Sequence, residues 1–166
     1  MRGLFVYQQR SCRLSLDEAM AVFYGQPGVA RPETSDTDPE VLRSHDACHV
    51  VFGLGTGLRD EMAADLVAVL ATDVGLCRYL AYLSASPEAR AQARDALTHP
   101  ARTLLAAGAV VPVALRLAWR ALTRRPRWPW RVPDELVRTP LDELRARYGV
   151  PVLASATRGR SGSSLA

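Results

Sequence analysis

The chain has 166 residues, 21 of its side chains are Lys or Arg against 17 Asp and Glu, and its formal net charge is +4. Every one of those 21 cations is an arginine. With 48% hydrophobic and 23% charged residues it reads as one ordinary globular domain over residues 1–156, large enough for a real core. Three cysteines (Cys12, Cys48 and Cys77) are an odd number without paired spacing, which argues against a disulfide framework and for free thiols in a reducing compartment. The modest positive charge permits contact with an anionic surface or an acidic substrate and requires neither.

From the N-terminus, residues 1–10 hold one short apolar piece, Leu4 to Tyr7, without the small-residue cleavage site of a signal peptide. Ser15-Leu16-Asp17-Glu18 is a capping box, and Leu16, Ala19, Met20 and Phe23 follow at helical spacing as far as Gly25. Residues 26–37 are rich in Pro, Gly, Ser, Thr and Asp and are expected to form a loop. Asp38-Pro39-Glu40 restarts a helix, with Asp38 at the N-cap and Pro39 at the first helical position.

That second helix carries His45, Asp46 and His49. At about 100° per residue the three side chains share one sector of about 100°. Imidazoles four apart form a helical clamp for a divalent ion, and an adjacent carboxylate suits the same ions. Cys48 lies on the other side of His45 and reads as a small buried hydrophobe. Gly53-Leu54-Gly55-Thr56-Gly57 then breaks the helix. No strand precedes it and no Lys follows, so it reads as a tight reversal rather than a phosphate cradle. The reversal returns the next helix antiparallel and brings Glu61 towards His49.

The pattern predicts that this third helix runs unbroken from about Leu58 to Ser84, on a stripe of Met62, Leu66, Val69, Leu70, Val74, Cys77 and Leu80. Ser86-Pro87 opens another helix that ends near His99-Pro100. His99 reads as a cation near a helix C-terminus. Leu104 to Leu115 is an apolar run of twelve residues, shorter than the about 20 that cross a bilayer. It is expected to be a buried helix bent at Pro112, or else a wall for a greasy substrate. Trp119, Arg124, Arg125, Arg127, Trp128 and Trp130 mix aromatic rings with cations, the chemistry of an interfacial membrane contact; stacking on nucleic acid and tryptophans plugging a core use the same residues. Thr139 is expected to cap a last helix bearing Leu141, Leu144 and Tyr148, which Gly149-Val150-Pro151 stops. Residues 157–166, Gly/Ser/Arg-rich, are expected to be a disordered tail. No stretch alternates with period two. The expected fold is therefore all-α, a bundle of six or seven helices with a metal site between two consecutive antiparallel ones.

The motif His-Asp-x-x-His, eleven residues, then Glu, which here is His45, Asp46, His49 and Glu61, resembles the signature of the Coq-four family of coenzyme Q (ubiquinone) biosynthesis proteins. Two further stretches are similar: His49-Val50-Val51-Phe52-Gly53, and Thr139 to Arg145 followed by Tyr148-Gly149-Val150-Pro151. The likeness spans roughly residues 41–152. Two departures stand out: only 44 residues precede His45, and Asp60 stands where the family commonly has Gly. The resemblance implies an all-helical, membrane-associated protein that binds a divalent metal, usually zinc, through His45, Asp46, His49 and Glu61. It also implies action on a polyprenylated aromatic acid, with oxidative loss of the ring carboxylate, and association with other quinone-biosynthesis enzymes. A cytoplasmic location, peripheral on the inner face of the membrane, and a homodimer are the corresponding expectations.

The residues themselves leave the chemistry open. A zinc protease uses His-Glu-x-x-His, and Asp46 is one methylene shorter than that Glu. A phosphohydrolase of the His-Asp type needs an earlier histidine, and His45 is the first in the chain. A two-histidine, one-carboxylate Fe(II) site suits oxidative chemistry better than zinc. In the expected mechanism His45, His49 and Glu61 are ligands, Asp46 is the fourth ligand or a catalytic base, and Arg59 pairs with a substrate carboxylate. The non-enzyme alternative is a prenyl-lipid-binding or scaffold protein in which a structural metal staples two helices.

Overall fold

A computed structural model of the chain describes residues 4–122 and 126–154. Among them there are eight α-helices and no strands: α1 Leu16–Tyr24, α2 Pro39–Phe52, α3 Leu58–Ala71, α4 Leu76–Ala85, α5 Pro87–Thr98, α6 Pro100–Leu122, α7 Asp134–Val137 and α8 Leu141–Tyr148. The fold is an all-α, single-domain bundle.

Local signals mark most helix ends. Ser15 accepts from the Glu18 N–H while Glu18 reaches back to the Ser15 N–H, a complete capping box on α1. Asp38 caps α2 through the Glu40 N–H, and Ser86 caps α5 through the Ala89 N–H. Gly53 and Gly149 end α2 and α8 in the left-handed region, at φ 69° and 59°. At α8 the cap lies one residue later than expected: Pro140 occupies the N-cap, and the Thr139 hydroxyl donates to the Glu135 carbonyl.

The helix expected over residues 58–84 is two helices. The Thr72 hydroxyl donates to the Ala68 carbonyl and accepts from the Val74 N–H, turning the chain out of α3. The segment 126–130 then occupies the break. The Trp128 N–H donates to the Ala71 carbonyl at 2.9 Å, and the Trp130 N–H donates to the Asp73 carboxylate at 2.7 Å. Gly75 restarts the chain at φ 75°, in the left-handed region, as the residue before α4. The expected stripe shifts accordingly: the buried face of α3 is Ala63, Ala64, Val67, Ala68 and Ala71, while Cys77 and Leu80 face solvent.

Small residues on α3 let the long α6 lie close against it, and Val110, Val113 and Leu117 fill that seam. α6 is not the buried helix expected. Leu104, Leu105, Val111, Leu115 and Trp119 are all more than half exposed. The helix also continues through Pro112, so the segment is longer than its twelve-residue apolar run. By length and composition alone, Pro100–Ala121 is sufficient to cross a membrane.

Two buried arginines tie the ends together through hydrogen bonds to backbone carbonyls. Arg145 of α8 donates to the Val50 and Val51 carbonyls at the end of α2 and to the Tyr7 and Gln9 carbonyls. Arg120 of α6 donates to the Tyr148 and Gly149 carbonyls and to Pro126. Each places a cation at the negative end of a helix while satisfying carbonyls that the helix itself cannot.

A candidate metal centre

The centre is built on α2 and α3. The turn Gly53–Gly57 reverses the chain, so the i, i+4 pair His45 and His49 of α2 faces the i, i+4 pair Asp65 and Glu61 of α3 in antiparallel order. His49 Nε2 lies 3.5 Å from Glu61 Oε2, and His45 Nε2 lies 3.6 Å from Asp65 Oδ1. His45, His49 and Glu61 each offer one donor atom, and these atoms lie within 4.8 Å of one another. Zinc with bonds of 2.0–2.1 Å sets tetrahedral donors about 3.3 Å apart, so modest side-chain rotation closes the group on an ion.

The turn does more than reverse the chain. His49 Nδ1 donates to the Gly55 carbonyl at 2.7 Å, which leaves Nε2 as the free nitrogen facing Glu61. A ligating histidine is ordinarily held in this way, its second ring nitrogen bonded to a backbone carbonyl or carboxylate. His49 is 1% exposed and its ring packs against Phe23 at 5.4 Å. His45 and Glu61 are half-buried and line a cavity of about 330 Å³. One side of the centre is therefore dry and rigid, and the other opens to a ligand-sized space.

The charges are coupled. Burial alone would lower the His49 pKa, but Glu61, Asp46 and the Gly55 carbonyl raise it on balance. Burial would raise Glu61, and His49 overrides it, holding that carboxyl below its usual range. Asp65 is likewise held low: burial opposes, but His45 and the Tyr79 hydroxyl, which donates to Asp65 at 2.6 Å, prevail. Asp46 differs. Burial pushes it up to about 6 despite both histidines.

Of the four residues expected as ligands, three form the donor group. Asp46 lies beside it, 5% exposed, with Oδ1 4.0 Å from His45 Nδ1 and Oδ2 without a hydrogen-bond partner. It sits beside the Tyr24 hydroxyl, whose pKa burial and the Asp46 charge drive up. Cys48 is fully buried, its thiol pushed up by desolvation, and it takes no part in the group. Arg59 does not line the cavity, because it lies about 160° around α3 from Glu61. His99 is a surface residue paired with Asp95 at 3.1 Å.

Asp65 was not anticipated. The signal was present, since Glu61 and Asp65 are four apart, but a carboxylate pair on a helix is common without function. Of the readings open for the Trp/Arg segment, Trp128 and Trp130 take the core plug, at 0% and 3% exposure in the α3–α4 break; only Trp119 of the three faces solvent. Arg127 reaches back to the Thr72 carbonyl at 3.3 Å, while Arg124, Arg125 and the expected tail over 157–166 lie outside the described residues.

Fold and site together define an all-α protein whose two histidines and one glutamate are arranged to hold a metal ion. Comparison of the chain with family models, with curated proteins and with solved structures finds no match.

Proposed function

We propose that this protein is a divalent-metal protein of quinone-precursor metabolism, acting on a prenylated aromatic acid with oxidative loss of the ring carboxylate. The observation that carries the proposal is the convergence of His45, His49 and Glu61 on one wall of a cavity whose other walls are largely apolar and aromatic. The likeness of His45, Asp46, His49 and Glu61 to the Coq-four motif supplies the substrate class. Zinc is the first candidate and Fe(II) the alternative; either, when bound, supplies positive charge for a substrate phenolate or carboxylate.

The chain's own residues have distinct parts. His49, pinned by Gly55, and Glu61 form the rigid half of the centre. His45, at the cavity, sets the approach of the ligand. Asp46, buried and outside the donor group, has its pKa pushed up to about 6, close enough to neutral pH to take up and release a proton, and serves as the acid–base group. The reaction balances when the ring–carboxylate bond breaks to release carbon dioxide, a ring–hydroxyl bond forms with oxygen from water, and dioxygen takes up the two electrons and two protons to leave as hydrogen peroxide. A scaffold with a purely structural metal is the second reading, but an opening onto a cavity favours a centre with a free coordination position. The outward apolar face of α6 is proposed to rest on a membrane surface, where a prenylated substrate resides.

Elemental mass spectrometry of wild type and Glu61→Ala, purified without chelators or a His tag, tests the proposal. About one ion per chain, lost in the variant, supports the centre, and its identity separates zinc from iron chemistry. No stoichiometric metal after reconstitution removes the metal-dependent reading.

A further inference from the structure

The cavity beside the candidate centre has an unusual charge lining. Among the described residues it is walled by three carboxylates, Asp46, Glu61 and Asp65, and by no arginine. This holds in a chain with 21 basic residues, two of them, Arg43 and Arg59, on the metal-site helices themselves. Arg43 is two residues from His45, hence about 200° around α2, and lines different cavities with Glu40. Arg59 is turned away from Glu61 in the same manner. Arg131, next in sequence to the cavity residue Trp130, pairs instead with Glu40 at 3.0 Å. Apart from His45 and His49 of the centre itself, the remaining polar wall is neutral, with Thr37, Thr56, Ser86 and Gln92 among it.

Next to Asp65, which accepts from the Tyr79 hydroxyl, the wall is aromatic. Tyr82 stacks on Trp130 at 6.2 Å with planes 12° apart, and Tyr79 meets the same ring edge-on at 5.5 Å. Such a surface offers area to a flat ring and no counter-charge. A volume of about 330 Å³ accommodates one ring with a short substituent; a longer chain leaves by the mouth.

Resting on the metal reading above, we infer that this site selects a single aromatic ring that is neutral or carries one negative charge, and rejects aryl phosphates and other dianions. A divalent ion held by Glu61 with Asp65 close by has its charge already balanced. One carboxylate or phenolate can still bind the ion. A second charge on the ligand would have to shed its water facing carboxylates, with no cation to receive it.

The test compares 3-methyl-4-hydroxybenzoate with 3-methylphenyl phosphate, titrated calorimetrically into the zinc-loaded protein at about pH 8, where the phosphate is dianionic. Zinc content is measured first. The benzoate is expected to bind at least about tenfold more tightly, because like charges brought together cost affinity. Asp65→Asn, shown folded by circular dichroism and zinc-loaded, is expected to narrow that gap by relieving one repulsion. Equal or tighter binding of the phosphate, binding of neither compound, or an unchanged gap in Asp65→Asn overturns the inference. Failure of wild type to load zinc overturns the metal reading beneath it, so the two failures are distinguishable.

Discussion

His49 Nδ1 donates to the Gly55 carbonyl at 2.7 Å, and this one bond aims the other ring nitrogen at Glu61. The turn that reverses the chain is thus also the support of the candidate centre. Gly53 opens that turn at φ 69°, and a Cβ there would lie 2.8 Å from Val152 Cγ1. Gly53→Ala is expected to cost about 1–3 kcal/mol in chemical denaturation, from left-handed strain plus the clash. It should also weaken metal binding, measured by competition with a chromophoric chelator. Unchanged stability and affinity would show that the turn is not constrained as described.

The coupled charges give the metal-free protein a defined pH profile. Groups with raised folded pKa values, His49 and Asp46, contribute stability at low pH that is lost as pH rises: for Asp46 through about 6, and for His49 above its ordinary 6.5. Groups with depressed values, Glu61 and Asp65, contribute stability above their ordinary 4.5 and 3.8 that is lost as pH falls through the folded values. The metal-free melting temperature should therefore peak at about pH 4–4.5, where Glu61 and Asp65 have largely ionised and Asp46 still keeps its proton in the folded state. A bound metal replaces the protons and should move the optimum upward. Asp46→Asn should flatten the metal-free decline between about pH 4 and 6 and leave the decline above 6.5 that His49 causes. Melting curves across pH, with and without zinc, check all three.

Arg145 is 4% exposed and donates to four carbonyls, Tyr7, Gln9, Val50 and Val51. Burial lowers its pKa only to about 10, so it stays charged at neutral pH. Arg145→Met should cost at least about 3 kcal/mol, because it strands several buried acceptors at once. Arg145→Lys should recover little, since one ammonium cannot span the same fork of carbonyls. Urea unfolding of both variants measures this. A loss below 1 kcal/mol for the Met variant would contradict the assignment.

The tryptophans separate stability from surface behaviour. Trp128→Ala should destabilise by about 3–5 kcal/mol, as deletion of a fully buried ring does. Trp119 is 71% exposed, and Trp119→Ala should leave the melting temperature nearly unchanged. If α6 rests on a membrane, Trp119→Ala combined with Leu115→Asp should reduce co-sedimentation with vesicles containing anionic lipid. Equal sedimentation of wild type and this double variant would remove the membrane contact.

What the sequence by itself determined is what local chemistry decides. Ser15, Asp38 and Ser86 cap helices because their side chains reach N–H groups two or three residues away. Gly53 and Gly149 stop helices because they tolerate a left-handed backbone. His45 and His49 share a face because 3.6 residues make a turn, and the five-residue turn after them leaves Glu61 little choice but to return. Tertiary structure decided the rest. The α3–α4 break depends on Trp128 and Trp130 donating to Ala71 and Asp73, more than fifty residues earlier in the chain. Their burial follows from the same pairing, so Trp/Arg composition alone could not distinguish a core plug from a surface anchor. Asp65 joined the candidate centre, and Asp46 stood beside its donor group, only once the rotation of α3 against α2 was set. That rotation is a packing outcome, fixed by the alanine face of α3 against α6 and by Arg145 holding the end of α2, and no local spacing encodes it.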